Sequence, residues 1–350
     1  MRLKLKQDYF EDIELFEDRV PIFWSVVLLG FLFALPFFVK SYYLTILMLM
    51  SVNAIVALGL NLLVGNTGQI SLGHAGFVAI GAYTAVLLTK AGAPFIVSFA
   101  AAGVVAALFG ILLGVPSLKL EGPYLAIATL AFGLAVTVII GRMDFLGGRM
   151  GVSVPKLSLK WTGLKYDTSL YYLIIIITIL LTIFTRNFVK SRIGRAFQAI
   201  RDSDIAASSI GINLTKYKLL SFGLSATYAG LAGALWAFYL GFISPTNFNF
   251  ILSIMFLATI VVGGLGFVGG SIMGAVVMTF LNIQLENITD VPILGSLIEK
   301  FSEAFMMHSA ISNVSWVFTG LILILIVLFE PMGLYGIWLR VKLYWKTWPF

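Results

Sequence analysis

The chain has no cysteine. That excludes a disulfide framework, a thiolate metal site and cysteine nucleophilic catalysis. Charge is also scarce. Asp, Glu, Lys and Arg make up 11% of the 350 residues, against about 25% in soluble domains. Hydrophobic residues make up 60%, and the mean hydropathy is +1.00. A water-soluble fold cannot hide that much apolar surface. Lipid, whose hydrocarbon core takes about 20 apolar residues to cross, is the natural solvent.

Two further absences narrow the function. All 16 carboxylates lie outside the long apolar segments or at their edges. Ion-coupled carriers and pumps keep ionisable residues at membrane depth, and here His74 alone stands in such a place. There is also no GxxxxGK[ST] loop. The run GGLGFVGG, Gly263 to Gly270, is followed by Ser271 and Ile272, not by lysine, so it lacks the phosphate-binding pattern. A membrane pathway with neither a coupling carboxylate nor its own nucleotide site either draws energy from a partner ATPase or conducts passively. The chain is read as a transport subunit, not an enzyme.

What is present is a series of uncharged apolar segments, at about 21–39, 42–64, 71–89, 94–115, 122–141, 169–185, 219–243, 250–262, 267–285 and 314–329. In lipid such segments are helical, because no water satisfies an open backbone. They imply an all-α polytopic membrane protein of about 10 transmembrane helices, with a range of 8–10. The N-terminus, MRLKLKQDYFEDIELFEDRV, lacks the basic, apolar and small-residue layout of a signal peptide. Residues 1–20 are therefore expected as a retained cytoplasmic segment, 21–335 as the transmembrane domain and 336–350 as a cytoplasmic tail. With both termini inside, the inner segments carry 15 Lys and Arg and the outer ones 8, as the positive-inside rule requires. The loop at 142–168 then lies outside, and the basic stretch 186–218 inside.

Two of these segments are interrupted. GNTGQISLGHAG, Gly65 to Gly76, is polar, glycine-rich and uncharged. VVGGLGFVGGSIMG, Val261 to Gly274, follows an apolar run of only 13 residues. Broken or re-entrant helices are tolerated where protein or a watery cavity covers the backbone, and paired breaks mark transporter pathways. Asn66, Gln69, Ser71, His74, Gly264 and Gly266 are the candidate path residues. A half-helix starting near Ser71 would aim unpaired N–H groups at a carboxylate. The plainer alternatives are close helix packing through glycines and a neutral His74 bonded to a neighbouring backbone carbonyl. His308, with Met306 and Met307, reads as a surface or partner contact. Trp236, Trp316 and Trp338 read as interface anchors.

The inner segment KSRIGRAFQAIRDSDIAASSIGINLTKYK, Lys190 to Lys218, has Ala196, Ile200, Ala207 and Ile210 near helical spacing. Asp202, Ser203 or Asp204 is placed to cap a short helix running to Ser209, and Gly211 to end it. One or two short helices lying flat at the membrane face follow.

Several long motifs carry a resemblance. ALGLNLLVGNTGQISLGHAGFVAIGAY (57–83), EGPYLAIATLAFG (121–133), GRAFQAIRDSDIAASSIGIN (194–213) and ATIVVGGLGFVGGSIMGA (258–275) resemble the permease subunits of branched-chain amino-acid ABC importers. Chain length and the 142–168 loop resemble the M-type subunit of the permease pair. The resemblance implies a complex with a homologous second permease, two ATPase subunits and a periplasmic or lipid-anchored solute-binding protein, in a prokaryotic inner membrane. It implies no cofactor in this chain, with ATP and Mg bound by the partner ATPases. It also implies that the inner loop docks on an ATPase through an EAA-x3-G pattern. Ala206, Ala207 and Gly211 fit that pattern, Ile205 stands where the glutamate would be, and Asp204 is adjacent. Arg195, Ile200, Asp204, Ile205, Ala206, Ala207 and Gly211 are the candidate ATPase-coupling residues, with Ile200 and Ile205 expected to fill apolar hollows in the partner. An importer of urea or short amides, or a passive channel, remains the alternative.

Overall fold

The computed structural model describes residues 19–120, 122–157, 163–286, 320–321, 323–326 and 328–347. Among these, twelve helices are bounded: α1 (Arg19–Phe38), α2 (Ser41–Thr67), α3 (His74–Lys90), α4 (Phe95–Ser117), α5 (Pro123–Arg142), α6 (Tyr166–Lys190), α7 (Arg192–Asp202), α8 (Asp204–Ser209), α9 (Leu214–Leu240), α10 (Phe250–Gly263), α11 (Val268–Glu286) and α12 (Gly333–Thr347). Five of them, α2, α4, α5, α6 and α9, are long and apolar enough to cross a membrane, and 26–38, 250–263 and 268–284 are shorter apolar helices. The protein is an all-α polytopic membrane protein. The expected segments at 1–18 and most of 314–329, with His308 and Trp316, fall outside the described residues.

The long helices are apolar all round, so one face can meet protein and another lipid. Ile96, Val104, Leu108 and Leu112 of α4 and Leu180, Ile183 and Phe184 of α6 are exposed, as a lipid-facing surface requires. Lipid gives no hydrophobic drive between helices, so close packing holds the interior. The centre is α9, which packs on α4, α3 and α2. Its Gly230 lies against the backbone of α4 at Ala102, and Gly233 against that of α3 at Val78. A Cβ on Gly81 would sit 2.2 Å from Gly230 O. Some side chains also pair across the interior: Thr185 and Tyr228 hydroxyls meet at 2.6 Å.

One small sheet departs from pure helix. β1 (Val152–Ser153) pairs antiparallel with β2 (Phe242–Ile243). It ties the 142–168 loop to the connection between α9 and α10, which continues as a 3-10 turn at Pro245–Phe248. The residues expected to form a tail from 336 begin inside α12, whose Tyr335 stacks on Phe267 at 4.7 Å.

Candidate functional site

The first break is shorter than the glycine-rich stretch. α2 continues through Asn66 and Thr67 and closes on Gly68, whose φ of 72° is left-handed. Gly68 N–H donates to Val64 O at 3.1 Å and Gln69 N–H to Leu63 O at 3.2 Å, a terminus that glycine favours because it has no Cβ. The next helix starts at His74, not near Ser71. Its early N–H groups are engaged: Ala75 N–H donates to Ser253 Oγ at 3.0 Å, and Gly76 N–H to Gly73 O. The expected cluster of unpaired N–H groups is thus corrected at those two positions.

The polar side chains of the break form a buried seam against α9. Gln69 Nε2 donates to Ser221 Oγ at 2.8 Å and to Thr67 Oγ1 at 3.0 Å. One helical turn deeper, His74 Nε2 meets Ser225 Oγ at 2.7 Å. Its Nδ1 meets Ser71 Oγ at 3.1 Å. The partners are two hydroxyls and not a backbone carbonyl. A hydroxyl donates or accepts, so this pair satisfies a neutral imidazole in either tautomer. His74 and Ser71 are fully buried. Asn66 Nδ2 and Gln69 Oε1 are also buried, and have no hydrogen-bond partner among the described residues. Such an atom costs about 1–3 kcal/mol when left unmade.

The second break, between α10 and α11, meets the first. Gly264 and Gly266 have φ of 118° and 83°. Gly266 N–H donates to Asn61 Oδ1 at 2.8 Å, and Asn61 Nδ2 donates to Phe267 O at 3.0 Å and Ser271 Oγ at 2.8 Å. A Cβ on Gly65 would lie 2.0 Å from Asn61 Oδ1 and 2.4 Å from Gly266 N, so only glycine permits the contact. Gly264 packs under Met332 O. The close-packing alternative also holds, at different glycines: a Cβ on Gly263 would sit 2.0 Å from Gly270 O. Asn61, the residue that joins the two breaks, escaped the sequence reading. A lone asparagine inside ALGLNLLVG is its only signal.

The 190–213 segment is tied to the same joint. α7 is capped by Ser191 and anchored by Phe197, which is fully buried and lies edge-on to Phe188 at 5.6 Å. Burial of that ring contributes about 2 kcal/mol. At the far end of α7, Arg201 Nη1 donates to Gly65 O at 2.6 Å. A cation there also complements the partial negative charge of the α2 C-terminus. Of the three capping candidates, Ser203 is the one used, accepting from Ala206 N–H. Gly211, with φ of 85°, ends the turn after α8.

The candidate coupling residues divide by exposure. Ile200 (3% exposed) and Ala207 (1%) are buried against their own chain, so Ile200 is not available to a partner's hollow. Ile205 and Ile210 are exposed at 80% and 75% and form the free apolar surface, with Ala206 and Gly211 beside them. Asp204 is ion-paired with Lys218. Arg195 is exposed, and its Nη1 donates to Lys190 O at 3.4 Å.

The sequence profile of the branched-chain amino-acid transport system permease component matches residues 42–328. The chain belongs to that family. The branched-chain amino-acid permease LivM of Escherichia coli K12 is 38% identical over 279 residues, 72% of this chain and 66% of its own length. The match thus spans just under two thirds of that relative. A probable LivH permease of Methanocaldococcus jannaschii is 26% identical over 82% of this chain and 90% of its own length. The fructose import permease FruG of Bifidobacterium longum is 27% identical over 75% of this chain and 76% of its own length. No solved structure matches the chain. The family profile begins within the first turn of α2 and encloses both breaks and the 190–213 segment.

Proposed function

We propose that this chain is a permease subunit of an ATP-driven ABC importer for leucine, isoleucine and valine, forming half of the translocation path. Family membership carries the reading, and the likeness to E. coli LivM gives the substrate class. Two homologous permeases, two ATPase subunits and a periplasmic or lipid-anchored binding protein make up the complex. ATP and Mg bind in the ATPase subunits, and this chain performs no hydrolysis. It sits in a prokaryotic inner membrane with both termini and the 190–213 segment in the cytoplasm.

In this reading Ile205, Ala206, Ile210 and Gly211 dock into an ATPase, while Arg195 and Asp204 border the docking face. Closure of the ATPases on nucleotide moves the segment as a rigid body, the kind of switch that packed helices support. The Arg201 bond to Gly65 carries that motion to the paired breaks. Asn66, Gln69, Ser71 and His74 then line the inner part of the path beside Gly264 and Gly266. They are polar without net charge, which lets a zwitterion pass without being held. Asn66 Nδ2 and Gln69 Oε1 have bonding capacity left for it.

Co-purification with the ATPase subunits tests the docking face. A Cβ on Gly211 meets nothing within 4 Å, so side-chain size there is felt by a partner, while the left-handed φ of 85° strains alanine and tryptophan alike. Gly211→Ala, which carries the backbone strain without the bulk, retains the ATPases; Gly211→Trp loses them. Equal recovery from both variants would place the contact elsewhere.

A further inference from the structure

A cavity of about 220 Å³ lies between α2, α9, α10, α11 and the 3-10 turn before α10. It is separate from the seam around His74, and no charged residue lines it among the described residues. Asn53, which borders it, is 14 residues from the end of α2, or roughly 21 Å along the helix. We propose that this cavity is a binding site for one small zwitterionic amino acid with an apolar side chain. The inference rests on the importer reading and gives it a solute site inside this permease.

The argument is the bonding state of the lining groups. Asn247 Oδ1 accepts from Ser244 N–H at 3.2 Å and from the Ser244 hydroxyl. Asn249 Oδ1 accepts from Leu252 N–H at 2.9 Å as the cap of α10. Asn247 Oδ1 thus has both lone pairs engaged and Asn249 Oδ1 one of its two, so Nδ2–H groups are the larger part of what these residues offer the cavity. The N-terminus of α10 adds partial positive charge on the same side. The other side is the reverse. Asn53 Nδ2 donates to Thr279 Oγ1 at 2.8 Å, and the Thr259 hydroxyl donates to Met255 O at 2.7 Å. Asn53 Oδ1 and the lone pairs of Thr259 Oγ1 remain as acceptors.

Donors on one side and acceptors on the other suit a carboxylate and an ammonium held together. Leu252, Phe256 and Met278 supply an apolar wall for the side chain. A net charge has no counter-charge among the described lining residues, and burying it unpaired is costly. That disfavours lysine and glutamate. The volume is below the roughly 300–1,000 Å³ of drug-sized sites, which suits a single amino acid better than a peptide.

The test uses the absence of cysteine. Met278→Cys places one thiol of this chain in the cavity wall of the purified complex, free of nucleotide and binding protein. Alkylation by N-ethylmaleimide is followed by the mass of this chain. Saturating L-leucine slows it at least tenfold, and L-lysine and L-glutamate change it less than twofold. Asn53→Leu in the same background removes the leucine protection. If that variant does not assemble, the Met278→Cys result alone decides. No protection by leucine, in a complex that still takes up leucine with ATP, overturns the cavity site and leaves the importer reading intact. Protection by urea and not by leucine overturns the amino-acid class. Uptake that needs no ATPase overturns the importer reading whatever the cavity does.

Discussion

Arg201 Nη1 lies 2.6 Å from the carbonyl oxygen of Gly65. One residue sits at the end of a short helix outside the bundle, the other in the last turn of a membrane helix. The bond connects the docking segment directly to the joined breaks. Arg201→Ala is expected to leave assembly and ATP hydrolysis within about twofold and to cut leucine moved per ATP several-fold. Arg201→Lys, a point charge on a shorter reach, is expected to fall between. Uptake and hydrolysis measured on the same proteoliposomes check both, and an unchanged ratio for Arg201→Ala refutes the role.

Gly65 permits the two breaks to touch. A Cβ there meets Asn61 Oδ1 at 2.0 Å and backbone nitrogen of Gly266 at 2.4 Å, and the latter cannot rotate away. Overpacking of this kind costs about 1–3 kcal/mol. Gly65→Ala is therefore expected to lower the thermal midpoint of the purified complex. Gly30, with nothing within 4 Å of its Cβ position, is the control, and Gly30→Ala is expected to leave the midpoint unchanged.

The exposure of the isoleucines separates two effects. Ile205→Ser with Ile210→Ser removes exposed apolar surface and is expected to weaken ATPase binding about tenfold without changing the stability of this chain. Ile200→Ala opens a buried site and is expected to destabilise it by about 2–5 kcal/mol. Binding titrations and thermal melts distinguish the two variants, and the opposite pattern would reverse the assignment of inner and outer faces.

His74→Phe keeps an aromatic ring, somewhat larger, but leaves the Ser71 and Ser225 hydroxyls without their shared partner. Each orphaned buried hydroxyl costs about 1–3 kcal/mol. The variant is expected to be less stable, with Ser225→Ala in the same chain restoring part of the loss. Absence of that recovery in a double-mutant cycle would remove the histidine bridge from the account.

The sequence made local features legible. The Ser203 cap, the turn at Gly211 and the interruptions near Gly68 and Gly264 follow from residue types within a few positions of one another. The helical ends at Thr67 and His74 are harder to read, because Asn66 and Thr67 are polar yet satisfy a helical turn, and Ser71 lies outside the helix that starts at His74. Contacts across the chain were invisible. Nothing near Asn61 announces Gly266, and nothing near Gly65 announces Arg201, since each pair is set by packing and not by spacing. Asn53 and Asn247 went unnoticed for the same reason: isolated amides in apolar surroundings acquire meaning only when a cavity collects them. Trp236, expected at the membrane interface, borders that cavity and lies edge-on to Phe248 at 5.6 Å.

The central claim is ATP-driven movement of an apolar amino acid through this permease. The direct measurement is radiolabelled L-leucine uptake into proteoliposomes, with binding protein supplied, comparing this chain and its permease partner with and without the ATPase subunits and ATP. Uptake that appears only when ATPases, ATP and binding protein are all present, and that isoleucine and valine compete, is the predicted result. Leucine entry that persists without ATPases, or an ATP-driven system that moves urea or fructose and ignores leucine, would contradict it.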